Sequence, residues 1–272
     1  MQIITSNAEL KKIVDNSVLG NFDLCNSKII FKGTGNILAT SAIGDAPVKL
    51  NNTIITFKGN NAAIFLAPSK RNFVLDLRIS NDSYCYIGGN NYFSNRLNLF
   101  CTEHTNAIIG DDSLFSFGVW IRTSDVHLLY DCKTKKRINN SKSIFIGDHI
   151  WISQNATVLK GTKIGSGATL GANAVVADKK VLSNSVWVGN PAKLIKSGVF
   201  SLGTSSHDFT NEEIEKFSQF ESDDYVFQYV ENETLNFEQI DSELNLLGTA
   251  YKKIEYLLKL NKIKTKNRFS LF

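Results

Sequence analysis

The sequence predicts an all-β solenoid, a parallel β-helix with a C-terminal α-helical extension. Three observations carry this reading. An aliphatic residue returns at every sixth position through Ile146, Ile152, Val158, Ile164, Leu170 and Val176. Gly, Ser, Ala and Asn fill most positions between them. After Ser197 the apolar spacing becomes that of helices. A period of six fits neither a helix nor a flat strand, whose side chains repeat near 3.6 and 2. It fits a three-faced prism with one short strand per face. Each aliphatic side chain then points inward, and each corner needs small or left-handed-tolerant residues. Successive coils pair as parallel strands, with rungs about 4.8 Å apart.

Residues 1–22 read as a short N-terminal helical cap. Ser6 and Glu9 have capping-box spacing ahead of Leu10, Ile13 and Val14. Residues 23–200 form the coil domain. From Lys28 to Asn106 its coils are irregular, with Ile54, Ile64, Leu75, Ile87 and Leu99 as candidate core positions. The register is clear at Ile109, Phe115 and Ile121, and the next step lands on His127. A polar residue at that step breaks an otherwise consistent pattern, and such breaks mark functional or strained positions. Between His127 and Ile146 the repeat lapses in a polar, basic run that includes Lys133, Lys135, Lys136, Arg137, Asn139 and Asn140. That run reads as a loop thrown out of the coil.

Residues 201–272 form the helical extension. Thr210 and Glu213 repeat the capping-box pattern before Ile214, Phe217 and Phe220. Between Glu238 and Lys262, Ile240, Leu244, Leu247, Tyr251, Ile254, Leu257 and Leu258 make a helical stripe. It should pack on the prism side or on a neighbouring subunit. Phe217, Phe220, Tyr225, Phe227 and Tyr229 read as core.

A chain of 272 residues with 43% apolar content can bury a substantial core. It carries no signal-peptide pattern and no long apolar span. Its four cysteines, without CxxC spacing, read as reduced thiols. The expectation is a cytoplasmic protein, with peripheral association at the inner membrane as a variant. The formal charge of +4 is uneven: residues 208–243 are acidic and residues 252–268 basic. The basic run is either a solvated helical tail or a landing site for an anionic polymer or membrane surface. No aromatic-and-basic module for nucleic acid is present.

The motifs Ile121–His127 (IRTSDVH), Asp131, Arg137–Asn139, Ile146–Trp151 (IGDHIW), Asn155–Gly161 and Gly189–Lys193 follow in order. With them the segment from Gly110 to Lys196 resembles the hexapeptide-repeat acyltransferases, whose β-helix is left-handed. Among these it is similar to sugar and capsular-polysaccharide O-acetyltransferases, including those acting on polysialic acid. The resemblance implies a homotrimer, acetyl-CoA in the groove between neighbouring prisms, and a histidine base where two subunits meet. His127 matches that histidine. A neutral imidazole suits the work, because a sugar hydroxyl must lose its proton as it attacks the thioester. Direct transfer without an acyl-enzyme is expected.

Asp125 and Asp131 both stand close enough in sequence to orient His127, and spacing does not choose between them. Trp151 matches a tryptophan of the similar capsule enzymes; it contacts ligand or is buried at a subunit seam. Lys160, Lys179, Lys180 and Lys193 are candidate partners of the CoA phosphates. Gly171 and Ala172 suit a groove wall along the pantetheine arm, and Pro191 shapes the last coil near the adenine end. His149 reads as a supporting or solvent-facing residue.

Other chemistries fail on spacing. Gly165, Gly167 and Gly171 miss the dinucleotide fingerprint. There is no GxSxG elbow. His104, His127, His149 and His207 contain no close pair of the kind used by zinc-binding solenoids, so no metal is expected. The expected function is O-acetyl transfer from acetyl-CoA to a bacterial surface carbohydrate, an anionic polymer such as a sialic-acid-containing capsule. The alternatives are a small or nucleotide-linked sugar acceptor and a non-catalytic solenoid scaffold.

Overall fold

The computed structural model describes residues 1–41 and 46–272. Its centre is a β-solenoid of about seven turns, a left-handed β-helix. Face A stacks eight strands from Gln2–Ile4 to Val175–Val176, and face B eight from Ser17–Leu19 to Lys180–Val181. Face C begins with Phe22–Cys25 and Val48–Asn51 and continues with six strands from Tyr92–Phe93 to Lys193–Ser197. The rungs pair in parallel, and an antiparallel strand closes each end. Gln2–Ile4 lies on Lys28–Phe31, and Lys193–Ser197 folds back on Ser185–Val188. Capping both ends blunts the open edges that a solenoid would otherwise present.

The six-residue ladder is the core. Ile109, Phe115, Ile121, Ile146, Ile152, Val158, Ile164, Leu170 and Val176 are all fully buried. On face A the inward column runs Ile29, Ile55, Leu77, Leu99, Ile121, Val158, Val176. Stacked rings extend the column logic on other positions, with Phe31 over Phe57 at 4.8 Å and Phe93 over Phe115 at 5.3 Å between centroids. Corners take positive φ at Asn155 (57°) and Asn173 (57°), a conformation that asparagine tolerates. Ile64, Leu75, Ile87 and Leu99 are core as expected, but Ile54 is not. It is half-buried, and Ile55 points inward in its place. A one-residue slip in a strand exchanges the two faces, and no regular repeat fixes the register there.

The N-terminal helical segment is a single 3₁₀ turn, Glu9–Lys12, and the first strand of face B already begins at Ser17. The Glu9 carboxylate accepts from the backbone N–H groups of Thr5 (2.6 Å) and Ser6 (3.2 Å).

The extension contains α1 (Asn211–Lys216), α2 (Phe237–Leu246) and α3 (Ala250–Lys262). The Thr210–Glu213 capping box opens α1. The expected 238–262 stripe is two helices, because the chain breaks at 247–249 and Thr249 caps α3. Both lie on the outer side of face B. Phe237, Ile240, Leu244, Ile254, Leu257 and Leu260 form a second apolar cluster with Phe65, Tyr86, Ile108 and Phe145. Face B therefore has its own cover, so the prism-side packing holds.

The aromatics ahead of α2 depart from expectation. Phe227 is buried, but Phe217, Phe220 and Tyr229 are exposed. A helix of six residues has too few turns to bury a stripe. The basic run is divided. Arg268 and Lys253 are buried and fasten the extension to the coil. Lys252, Lys259, Lys262, Lys264 and Lys266 are exposed, with Lys264 paired to Asp111 at 2.6 Å.

Candidate active site

Residues 123–143 leave the coil between Trp120–Arg122 on face A and Ile144–Ile146 on face B. The loop folds into a small hairpin, with an antiparallel bridge between Tyr130 and Arg137. Its base is pinned at two points. Arg137 donates to both carboxylate oxygens of Glu103 (2.8 and 3.2 Å). Asn139 Nδ2 donates to Asp125 Oδ2 and to the His127 carbonyl, both at 2.8 Å, and Asn139 Oδ1 accepts from Leu129 N–H at 2.9 Å. Lys160 Nζ completes the node, 2.6 Å from Asp125 and 3.0 Å from the Asn139 carbonyl. The hydrogen bond from Lys160, with Asn139 and the nearby cations, holds the Asp125 carboxyl below its usual range.

His127 stands on this node, exposed, with its backbone fixed and, among the described residues, no hydrogen bond to its ring. Of the two candidate acids, Asp125 shares Asn139 with His127. Asp131 is spent at the hairpin tip, where it accepts from Lys133 N–H (2.9 Å) and Thr134 N–H (2.6 Å). Those bonds hold its carboxyl low. Asn139 is the organising residue that the candidate set lacked. Its signal in sequence was only its place in the Arg137–Asn139 motif.

Trp151 lies on face C, 40% exposed, directly beside Leu114 on the rung before and Thr169 on the rung after. The residues 199–207 run past it, and together they enclose a cavity of about 590 Å³. His127 is not among the residues that line it. His149, next to this face, is covered rather than solvent-facing: its ring stacks on Tyr225 at 4.2 Å, and Nε2 lies 2.7 Å from the Ser201 carbonyl.

The CoA candidates fall into separate groups. Lys160 belongs to the loop node. Lys179 Nζ donates to the Ala192 carbonyl at 2.9 Å, and Lys180 sits 3.5 Å from Glu238. Gly171 packs where a Cβ would meet the Val188 side chain at 2.6 Å, and Ala172 beside it is exposed. Pro191 and Lys193 are exposed at the last hairpin. Among the described residues, no group of three His, Cys, Asp or Glu side chains is arranged to hold a metal.

Comparison with known proteins agrees with the coil. Residues 143–178 match the family described as bacterial transferase hexapeptide (six repeats). The polysialic acid O-acetyltransferase of Neisseria meningitidis is 32% identical over 113 residues, 42% of this chain and 52% of that protein. The polysialic acid O-acetyltransferase of Escherichia coli is 35% identical over 98 residues, 36% of this chain and 32% of that one. The matches thus span about half or less of the length of these curated relatives. The crystal structure of the polySia-specific acetyltransferase NeuO superposes with a TM-score of 0.61 at 27% identity, over 75% of this chain and 93% of that one. Repeat, coil and relatives agree: the chain resembles the hexapeptide-repeat acyltransferases with a left-handed β-helix, polysialic acid O-acetyltransferases among them.

Proposed function

We propose that the chain is an acetyl-CoA-dependent O-acetyltransferase acting on a hydroxyl of a capsular polysaccharide. The observation that carries this is His127: an exposed imidazole with a free ring, on a loop base pinned by Asn139, Asp125 and Lys160. One imidazole nitrogen takes the acceptor hydroxyl proton while that oxygen attacks the thioester carbonyl. The tetrahedral adduct collapses with cleavage of the C–S bond. The CoA thiolate leaves with the proton returned by the imidazolium, giving the acetyl ester and CoA–SH. Asn139, itself held by Asp125, fixes where the histidine stands.

Trp151 belongs to the same site in this reading, supplied by a neighbouring copy of the chain. His127 sits where face A turns to face B and Trp151 lies on face C, so one chain does not unite them. A homotrimer with acetyl-CoA between prisms would. Two exposed features suit such an interface. Val126, Leu128, Leu129, Tyr130 and Ile138 on the loop are each more than half exposed. Among the described residues no helix covers face A, and its outer side carries Phe100 and Trp120 edge-to-face at 5.4 Å, with Arg122 5.0 Å from each ring. Lys179, Lys180 and Lys193 are retained as phosphate partners, and Gly171, Ala172 and Pro191 as walls for the pantetheine and adenine. Among the described residues no helix is long and apolar enough to cross a membrane.

Free-thiol release from acetyl-CoA, run with capsular polysaccharides and free sugars beside His127→Ala, tests the reading. Acceptor-dependent release that falls by about 10²–10⁴-fold in the variant, at unchanged melting temperature, is expected. Release unaffected by the substitution would overturn His127 as the base.

A further inference from the structure

The cavity beside Trp151 has an unusual lining for a protein whose relatives are named for a polyanion. Its walls are Tyr92, Leu114, Phe115, Ser116, Trp151, Thr169 and Val186 from the coil, and residues 199–207 from the extension. No Lys, Arg, Asp or Glu is among them, and His207 is the one side chain in the lining that can carry a positive charge. Two aromatic faces are open to it, Tyr92 at 48% exposure and Trp151 at 40%, two rungs apart on the same outward column. Opposite them the 199–207 segment offers hydroxyls from Ser201, Thr204, Ser205 and Ser206. The cations Lys70 and Arg71 line an adjoining cavity, where the Arg71 guanidinium lies 5.4 Å from the Tyr92 ring centre.

We infer that this cavity is the acceptor subsite and that it takes an uncharged sugar unit, the unit bearing the hydroxyl to be acetylated. The inference rests on the transferase reading and adds the chemical class of the acceptor unit. A sugar presents one face of C–H groups, which an indole or phenol ring covers, and a rim of hydroxyls, which serine and threonine can satisfy in either direction. A carboxylate or phosphate seated in the same space would lose water without gaining a lysine or arginine from the lining, which is costly. From Trp151 the cavity reaches back to Tyr92 on earlier rungs and forward to Thr169 and Val186 on later ones.

The segment is well placed to adapt to a sugar. Among the described residues, the single hydrogen bond from residues 200–206 to the coil is the His149–Ser201 contact at 2.7 Å. Phe200 anchors its start in a cluster with Phe220 and Tyr225, at 5.5 and 6.0 Å.

The test places a charge in the cavity wall at exposed Thr204, where folding is not at stake. Wild type, Thr204→Glu and Thr204→Lys are assayed by thiol release with neutral oligosaccharides (galactose- and N-acetylglucosamine-based) and with oligosialic acid. The same sugars are titrated by quenching of intrinsic fluorescence, with Trp151→Phe as the control. Transfer to a neutral sugar, with acceptor KM raised about tenfold by both charges and acetyl-CoA KM unchanged, is the expected result. Preference of the wild type for oligosialic acid, or an acceptor KM lowered by Thr204→Lys, would overturn the neutral unit. A raised acetyl-CoA KM would assign the cavity to the donor. Thiol release from no acceptor would sink the transferase reading instead, and the titration then decides alone. Trp151-dependent quenching by a neutral sugar upholds the subsite, and its absence rejects it.

Discussion

Arg268 closes a two-point pair with Asp148, 120 residues earlier in the chain. Its Nε lies 2.7 Å from one carboxylate oxygen and its Nη2 2.6 Å from the other. The same guanidinium reaches Asp111 at 2.8 Å, and its Nη1 donates to the Ile263 carbonyl at 2.5 Å. Asp148 belongs to the Ile146–Trp151 motif, and it accepts the backbone N–H of Asp111 at 2.6 Å. The end of the extension is thereby locked to the rung that carries Trp151. Burial pushes the Asp148 carboxyl up, and Arg268 opposes that shift.

Arg268→Met should therefore leave a buried carboxylate without its partner, at a cost of about 3–5 kcal/mol. Arg268→Lys should recover little, since an ammonium cannot reproduce the two-point geometry. Chemical denaturation measures the loss. Limited proteolysis should show the last residues released before the coil.

Lys253 gives a pH dependence. Its ammonium is buried 3.3 Å from the centre of the Tyr84 ring, and burial lowers its pKa to about 8, against the opposing pull of Asp82 and Asp241. The unfolded chain holds this proton up to its ordinary range, so between pH 8 and about 10.4 it binds more protons than the native state. Stability should then rise with pH across that window and be lower below pH 8. Lys253→Met should remove the rise; melting curves from pH 7 to 10.5 for both proteins check the sign.

Asn139→Ala cuts the link between Asp125 and the His127 carbonyl. The expected effect is a fall in kcat of about tenfold to a hundredfold, since a small misplacement of a catalytic group is costly. Acetyl-CoA KM should hold. A variant with wild-type kcat would show that the histidine needs no such support.

His149→Asn keeps a residue that tolerates the positive φ of 55° at this corner but cannot reach Ser201. Loss of one hydrogen bond is worth about 0.5–1.5 kcal/mol, so acceptor KM should rise roughly twofold to tenfold. The measured kcat should stay near wild type, because the substitution loosens the wall opposite Trp151 without touching His127.

Leu170→Ala tests the ladder itself. Leu170 is fully buried between Ile152 on one rung and Trp187 on the next. The cavity left behind should cost about 2–5 kcal/mol. Urea unfolding gives the value.

The legible part of this molecule was the part with a strict period. Every residue of the Ile146–Val176 ladder is buried, and His127 stands where the ladder breaks. The earlier coils were harder to read because their inward residues on face A recur at Ile55, Leu77, Leu99 and Ile121. Those longer coils hide the six-residue step, and Ile54 was mistaken for Ile55. Of the proposed site, the sequence points to His127, Trp151 and Asp125 but not to Asn139 as the residue joining two of them. Its bonds depend on the shape of a loop outside the repeat.

The sequence by itself determined the prism, because a six-residue alternation of aliphatic and small residues is a local rule that each corner and strand obeys independently. Only the tertiary structure decided what the extension does. A stretch of lysines and one arginine looks the same in sequence whether it meets solvent or carboxylates. Asp148, Asp111 and the Tyr84 ring are where the chain returns, so Arg268 and Lys253 fold inward while the other lysines of the run stay exposed. Burial of charge is permitted only by such partners, and partners this distant in sequence have no local signature.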